Sequence, residues 1–164
     1  MTLHLSHLHN KKNLLAFSAG VDSTALFFLL LEENISFDIA IVNYNVRAQA
    51  KEEVLYAQEL ALRYSKTCFV KEVVVDTANF EKNARDVRYQ YFEKLISNHS
   101  YDNLITAHQL NDKLEWFLMQ FTKGAGLIEL LGLTTYVDKE YYSLIRPLLD
   151  CSKEELENYL KRIK

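Results

Sequence analysis

The chain has 164 residues, 49% of them hydrophobic and 25% charged, with a formal net charge of −3. That is apolar material for one buried core, while the slightly acidic balance excludes a globally cationic surface that would hold nucleic acid through its phosphates. The longest apolar run, Ala25 to Leu31, is too short to cross a membrane, and Cys68 and Cys151, with no CxxC, encode neither a zinc knuckle nor a disulfide framework, as in a cytoplasmic protein.

The N-terminal histidines His4, His7 and His9 read as a lightly ordered polar arm, with a metal site as the alternative. Leu14 to Phe17 then form a short buried strand. Ser18, Ala19 and Gly20 follow as a turn of small side chains, and Asp22, Ser23 and Thr24 open an apolar helix with N-terminal capping chemistry. The first amide N–H groups of such a helix have no partner within it, and the peptide dipoles make that end electropositive, so the turn can cradle an anion. A second strand, Phe37 to Asn43, ends in a polar loop, Asn43 to Arg47, and Lys51 to Ser65 has helical spacing. Thr67 to Val75 is β-branched and predicts a third strand. Glu81 to His99 is a helix whose apolar stripe is interrupted by Arg88, Asn103 to Ala107 a fourth strand, and Leu110 to Lys123 a fourth helix. Leu127 to Leu133 reads as one more short helix, and Tyr141 to Ile145 as a fifth strand ending at Arg146 and Pro147. Ser152 to Lys164 is a charged helix, with Ser152 and Glu155 spaced as a capping box.

Regular alternation of strand and helix predicts an α/β fold: an open, mostly parallel, doubly wound sheet with helices on both faces. Ligands of such sheets sit beyond the carboxyl ends of the strands. Three polar clusters fall at that edge, Ser18 to Ser23, Asn43 to Arg47 and His108 to Asp112.

Only four glycines occur, and the first, Gly20, is in the first loop. No Lys follows it, which excludes a Walker loop, and GxGxxG fails because Glu129 stands where a third glycine is needed. Ser18, Ala19, Gly20, Val21, Asp22 and Ser23 do match the PP-loop of ATP pyrophosphatases, SGGxDS. Together with VNYNVR (42–47), NARDVRY (83–89), TAHQLNDKLE (106–115), FTKGAGL (121–127) and RPLLDCSKEELENYL (146–160), the chain resembles the N-terminal catalytic domain of the tRNA(Ile)-lysidine synthase (MesJ-type) family. The resemblance implies an adenine-nucleotide α-hydrolase-like fold, ATP and Mg²⁺ as cofactors, and free L-lysine and an isoleucine tRNA as partners. The implied reaction ligates lysine to the wobble cytidine through an adenylated base, releasing AMP and pyrophosphate. It also implies a cytoplasmic enzyme with no membrane partner, and it admits a homodimer. Residues 1–164 would be one ATP-binding catalytic domain of a longer protein whose C-terminal domains grip the tRNA.

By the same resemblance, Ser18, Ala19, Gly20, Val21, Asp22, Ser23 and His108 would bind the nucleotide, and Asp22 and Asp112 the metal. Asp22, Arg88, Asp112 and Glu115 would be catalytic, with Arg88 neutralising phosphate charge and Glu115 receiving the amine of lysine. Each has a plainer reading: Asp22, Asp112 and Glu115 as helix-dipole residues, Arg88 in an internal ion pair, His108 as a structural hydrogen bonder. Tyr89, Tyr91 and Phe92 read as core ahead of a base-stacking platform. Ala19, Tyr44, Gln109 and Asn111 stand where the family pattern has other residues. The competing classes are another PP-loop synthetase, of the NAD, GMP, asparagine or tRNA-thiolase type, and a nucleotide-binding module without turnover.

Overall fold

Strand β1, Asn13–Ala16, is the centre of the molecule, and successive side chains leave it on opposite sides. The computed structural model describes residues 1–44, 49–73, 80–124 and 132–163. Among them the strands are β1, β2 (Phe37–Asn43), β3 (Cys68–Glu72), β4 (Asn103–Ile105), β5 (Tyr136–Asp138) and β6 (Ser143–Ile145), and the helices are α1 (Val21–Glu32), α2 (Ala50–Arg63), α3 (Phe80–His99), α4 (Leu110–Thr122) and α5 (Lys153–Ile163). The six-stranded sheet runs β3-β2-β1-β4-β6-β5, parallel except for β5, which pairs antiparallel with β6.

The pleat sorts the core into two layers. Leu15, Ile39, Ile41, Ile105 and Ile145 face one side, where α1, α2 and α5 cover them with Leu26, Phe27, Leu30, Leu60 and Leu156. Leu14, Ala40, Leu104 and Leu144 face the other, against Phe92, Leu95 and Ile96 of α3. Both faces of the inner strands are therefore dry, which is why the strands read as unbroken apolar runs. The doubly wound sheet expected from the alternation is the one observed.

Two sequence expectations need correction. The fifth strand is shorter than Tyr141 to Ile145, and it is preceded by an edge strand, β5, that the pattern did not indicate. The N-terminal arm is not loosely held: Leu8 is 1% exposed, His4 Nε2 lies 2.6 Å from the Asp150 carboxylate, and the His7 ring packs on Tyr136. The short helix expected at Leu127 to Leu133 falls mostly outside the described residues, as do Asn45 and Arg47 of the second polar loop and the end of the third expected strand. No described helix is long and apolar enough to cross a membrane.

Helix α4 differs from the others, because none of its side chains is fully buried and Leu114, Leu118 and Phe121 are 54%, 60% and 64% exposed. It is fixed at its start, where the Leu110 N–H donates to the Cys151 carbonyl at 2.9 Å.

A polar clamp sets the opposite end of the sheet. Asn13, 1% exposed, donates from Nδ2 to the carbonyls of Leu8 (3.0 Å) and Ser36 (2.8 Å) and accepts from Asn103 Nδ2 (2.8 Å). It thus ties the arm, β1, the approach to β2 and β4 together. Replacing Asn13 by Ala leaves these buried partners unmatched and is expected to destabilise the protein by about 3 kcal/mol in urea denaturation.

Candidate active site

The chain turns away from β1 to β2 and β3 on one side and to β4 and β6 on the other, so a crevice opens at the carboxyl ends of β1 and β4. A cavity of about 590 Å³ lies there, lined by the loop after β1 (Ser18, Gly20, Val21, Asp22, Ser23), the end of β2 (Tyr44), α2 (Glu53), α3 (Arg88, Tyr89, Phe92) and the loop after β4 (Thr106, His108).

The loop after β1 is braced from within. Ser23, 3% exposed, donates from Oγ to the Gly20 carbonyl at 3.2 Å and accepts the Ser18 N–H at 3.2 Å. Its remaining lone pair faces Ser18 Oγ at 3.1 Å, so Ser18 is the donor in that pair. Gly20 is the N-cap, with φ −75° and ψ 169°, and no side chain caps the helix. The capping expected from Asp22, Ser23 and Thr24 is thus not made, because the helix begins at Val21, which puts them inside the first turn and leaves the N-cap to Gly20, which has no side chain. The first turn of α1 is left as an electropositive end on the cavity wall. Ala19 has φ 58°, a left-handed conformation that a Cβ makes costly by about 1–2 kcal/mol. Gly20 does not need its flexibility for φ, and a Cβ there would meet only Ser18 Oγ, at 3.4 Å, the edge of ordinary contact.

Asp22 is half-buried, and its Oδ1 is buried without a hydrogen-bond partner. Burial first, and then the negative charge of Asp112, hold its carboxyl above the ordinary value, with Lys153 opposing. Asp112 is at the start of α4, where its Oδ2 accepts the Gln109 N–H at 2.8 Å while Gln109 Oε1 accepts the Asn111 N–H at 2.7 Å, a capping box. One oxygen of Asp112 therefore has the plain helix-capping role. Asp22 and Asp112 act on each other electrically, and carboxylate oxygens, one of them orphaned, are the kind of donor that Mg²⁺ takes alongside phosphate oxygens and water, although Asp112 is not among the residues that line the cavity.

Arg88 is half-buried on the cavity wall, and none of the ion pairs among the described residues includes it. The internal pair weighed from sequence is not seen there. Tyr44 donates its hydroxyl to the Ala84 carbonyl at 2.8 Å, tying the end of β2 to the turn of α3 that precedes Arg88. His108 is held by Thr106 Oγ1 at 2.9 Å from Nδ1, and burial, reinforced by the charge of Arg146, pushes its pKa down to about 4. Its imidazole is neutral at pH 7. Phe92 is both core and cavity wall, and Tyr89 also faces the cavity. Glu115 is exposed on α4, three residues beyond Asp112, and does not line the cavity; Glu53, not singled out in the sequence, does. Ala19 packs against the core beneath the loop.

A family model described as the PP-loop domain matches residues 2–164. The tRNA(Ile)-lysidine synthase of Helicobacter pylori (strain ATCC 700392 / 26695) is 51% identical over 161 residues, covering 98% of this chain and 48% of that protein. That of Wolinella succinogenes is 54% identical over 153 residues, covering 93% and 47%. The chain thus spans about half the length of these relatives. Among solved structures, the U34-tRNA thiolase NcsA from Methanococcus maripaludis superposes with a TM-score of 0.77 at 18% identity, covering 99% of this chain and 59% of that one. The NH3-dependent NAD synthetase from Campylobacter jejuni gives 0.62 at 13%, covering 97% and 66%. These two likenesses establish the shared fold.

Two outcomes follow from the loop and the carboxylate pair. Ala19→Gly is expected to stabilise by up to about 1 kcal/mol, and the β-branched Ala19→Val to destabilise by about 2 kcal/mol, in urea titrations. Because the folded state holds the Asp22 proton more tightly than the unfolded state, ionised Asp22 costs stability above its raised pKa. Asp22→Asn is therefore expected to raise Tm at pH 7 by about 1–2 °C, allowing for solvent screening, with the gain lost as pH falls toward 3.8.

Proposed function

Since the chain belongs to the PP-loop domain family, we propose that it binds ATP at the carboxyl edge of its sheet and uses it to activate the wobble cytidine of an isoleucine tRNA for attack by free L-lysine. The observation that carries this reading is the meeting of Asp22 and Arg88, from separate elements, on one cavity wall at the uncapped start of α1. The choice of substrate draws on the half-identical lysidine synthases aligned along nearly the whole chain.

The cytosine 2-oxygen is a poor leaving group. In the proposed first step it attacks the α-phosphorus of ATP, an oxygen–phosphorus bond forms, and the bond to pyrophosphate breaks with its electrons leaving on pyrophosphate. In the second, the amine of lysine attacks the ring carbon, AMP departs with the bonding pair, and the nitrogen loses a proton. The protein's work is positioning and charge neutralisation. Amide groups of the first turn of α1 and Ser18 would cradle phosphate oxygens, with Ala19, Gly20, Val21 and Ser23 shaping that cradle. Arg88 would offset negative charge as pyrophosphate departs. Mg²⁺, held by Asp22 and Asp112, would supply electrostatic neutralisation between carboxylates and phosphates. Neutral His108 would offer a hydrogen bond to the nucleotide without adding charge. Glu115, on the outer side of α4, would receive an ammonium group of lysine.

A thiolase reading is disfavoured by the cysteines: burial pushes the Cys68 thiol up to about 11, and buried Cys151 donates its Sγ–H to the Thr2 carbonyl. ATP–pyrophosphate exchange tests the proposal. Stimulation by isoleucine tRNA supports it, stimulation by a small carboxylic acid reassigns the chain to a synthetase of the NAD or asparagine type, and ATP binding without exchange makes it a binding module. Where exchange occurs, Arg88→Ala is expected to lower it by about 10² to 10³.

A further inference from the structure

Arg146, outside the residues assigned above, is a buried cation with no counter-charge among the described residues. It is 7% exposed and directly follows β6, whose Ile145 pairs with Ile105 and accepts the Thr106 N–H at 3.0 Å. The guanidinium therefore lies at the carboxyl edge beside the segment that carries His108. Its Nη1 donates to the Thr134 carbonyl at 2.9 Å, while its Nε is buried with no partner. None of the ion pairs among the described residues includes it. The charged or ionisable groups that bear on it are Tyr89, Arg85 and His108, and Arg85 is a second cation, exposed on α3 with its guanidinium 5.7 Å from the Tyr89 ring. Tyr89 and His108 line the cavity and Arg146 acts on both, so it lies next to the part of the wall they form without itself being a lining residue.

A guanidinium stays charged at any pH the fold tolerates, and burying one unpaired is costly unless an anion completes it. Its Nε and Nη donors form a planar fork that matches two oxygens of a carboxylate or phosphate. We propose that Arg146, assisted by Arg85, is an oxyanion site at the edge of the PP-loop cavity, taking a carboxylate or phosphate group of a substrate. Under the function proposed above, on which this rests for its ligands, two sources exist: the carboxylate of the free amino acid and the phosphates of the nucleotide. In either case Arg146 fixes the position of a substrate relative to His108 and Arg88.

The test is calorimetric titration of the chain with L-lysine, with cadaverine, which is lysine without its carboxylate, and with pyrophosphate. Wild type is compared with Arg146→Gln, Arg146→Lys and Arg85→Gln. If the carboxylate is the ligand, wild type binds lysine at least tenfold more tightly than cadaverine, Arg146→Gln erases that margin, Arg146→Lys restores part of it, and pyrophosphate binding is unchanged. If phosphate is the ligand, Arg146→Gln weakens pyrophosphate at least tenfold and leaves the lysine–cadaverine ratio alone. Should Arg146→Gln fail to fold, Arg146→Lys and the exposed Arg85→Gln carry the same comparison with smaller losses. Pyrophosphate affinity and the lysine–cadaverine margin both unchanged within twofold would overturn the proposal and leave Arg146 as an anchor for the Thr134 backbone. A wild-type chain that binds pyrophosphate but not lysine counts against the lysine reading alone, and the pyrophosphate comparison then decides the oxyanion site. Binding of neither ligand overturns the site.

Discussion

Parallel pairing of β1 with both β2 and β4 is the constraint on which the molecule depends. It brings the ends of three strands to one edge and makes the chain diverge there, so the loop after β1 has no strand crossing above it. The register is held from the far end by the Asn13–Asn103 clamp and along the strands by side chains sorted strictly onto two faces. A slip by one residue would send Leu14 and Leu15 to the wrong layers at once. The rigidity of this centre is what lets groups from α1, α3 and the loop after β4 meet without any one element being specialised.

What meets at that edge is locally unfavourable. Ala19 is held at positive φ, the start of α1 lacks a side-chain cap, Asp22 faces the charge of Asp112 with one oxygen unmatched, and Arg146 is buried with Arg85 as its charged neighbour. Each would be corrected in a protein selected only for stability. Gathered on one rim of an otherwise well-packed fold, they form the pattern of local cost that the proposed ligand site would account for.

The fold was legible because its signal is repeated and local. Strands with both faces buried are apolar runs, helices have their own period, and their alternation leaves few topologies. Strand β5 escaped because Tyr136–Asp138 is a three-residue edge strand in which only Val137 reaches the core. The arm was misjudged because its anchors are distant in sequence: His4 meets Asp150 and Leu8 is covered by the main core. Around the cavity, the loop motif located Ser18 to Ser23, and the interruption of an apolar stripe located Arg88. Glu53 carried no such mark, since a glutamate in the first turn of a helix is ordinary dipole chemistry. Arg146 could be seen as the end of the last expected strand and the first residue of the RPLLDCSKEELENYL motif, but not as a buried, unpaired cation. Its isolation is a property of packing, which depends on what β4 and α3 place around it.

Helix α4 is joined to the rest mainly through its first turn, by the Leu110–Cys151 bond and the Lys113–Asp150 ion pair, and beyond that turn none of its side chains is fully buried. A segment secured that way can unravel from its far end at a free-energy cost well below that of melting the whole protein. Asp112 is in the secured turn, so its separation from Asp22 fluctuates only when opening reaches the hinge. A ligand bridging those two carboxylates would therefore slow amide exchange only for openings that reach the first turn, and would leave exchange by fraying of the far end unchanged.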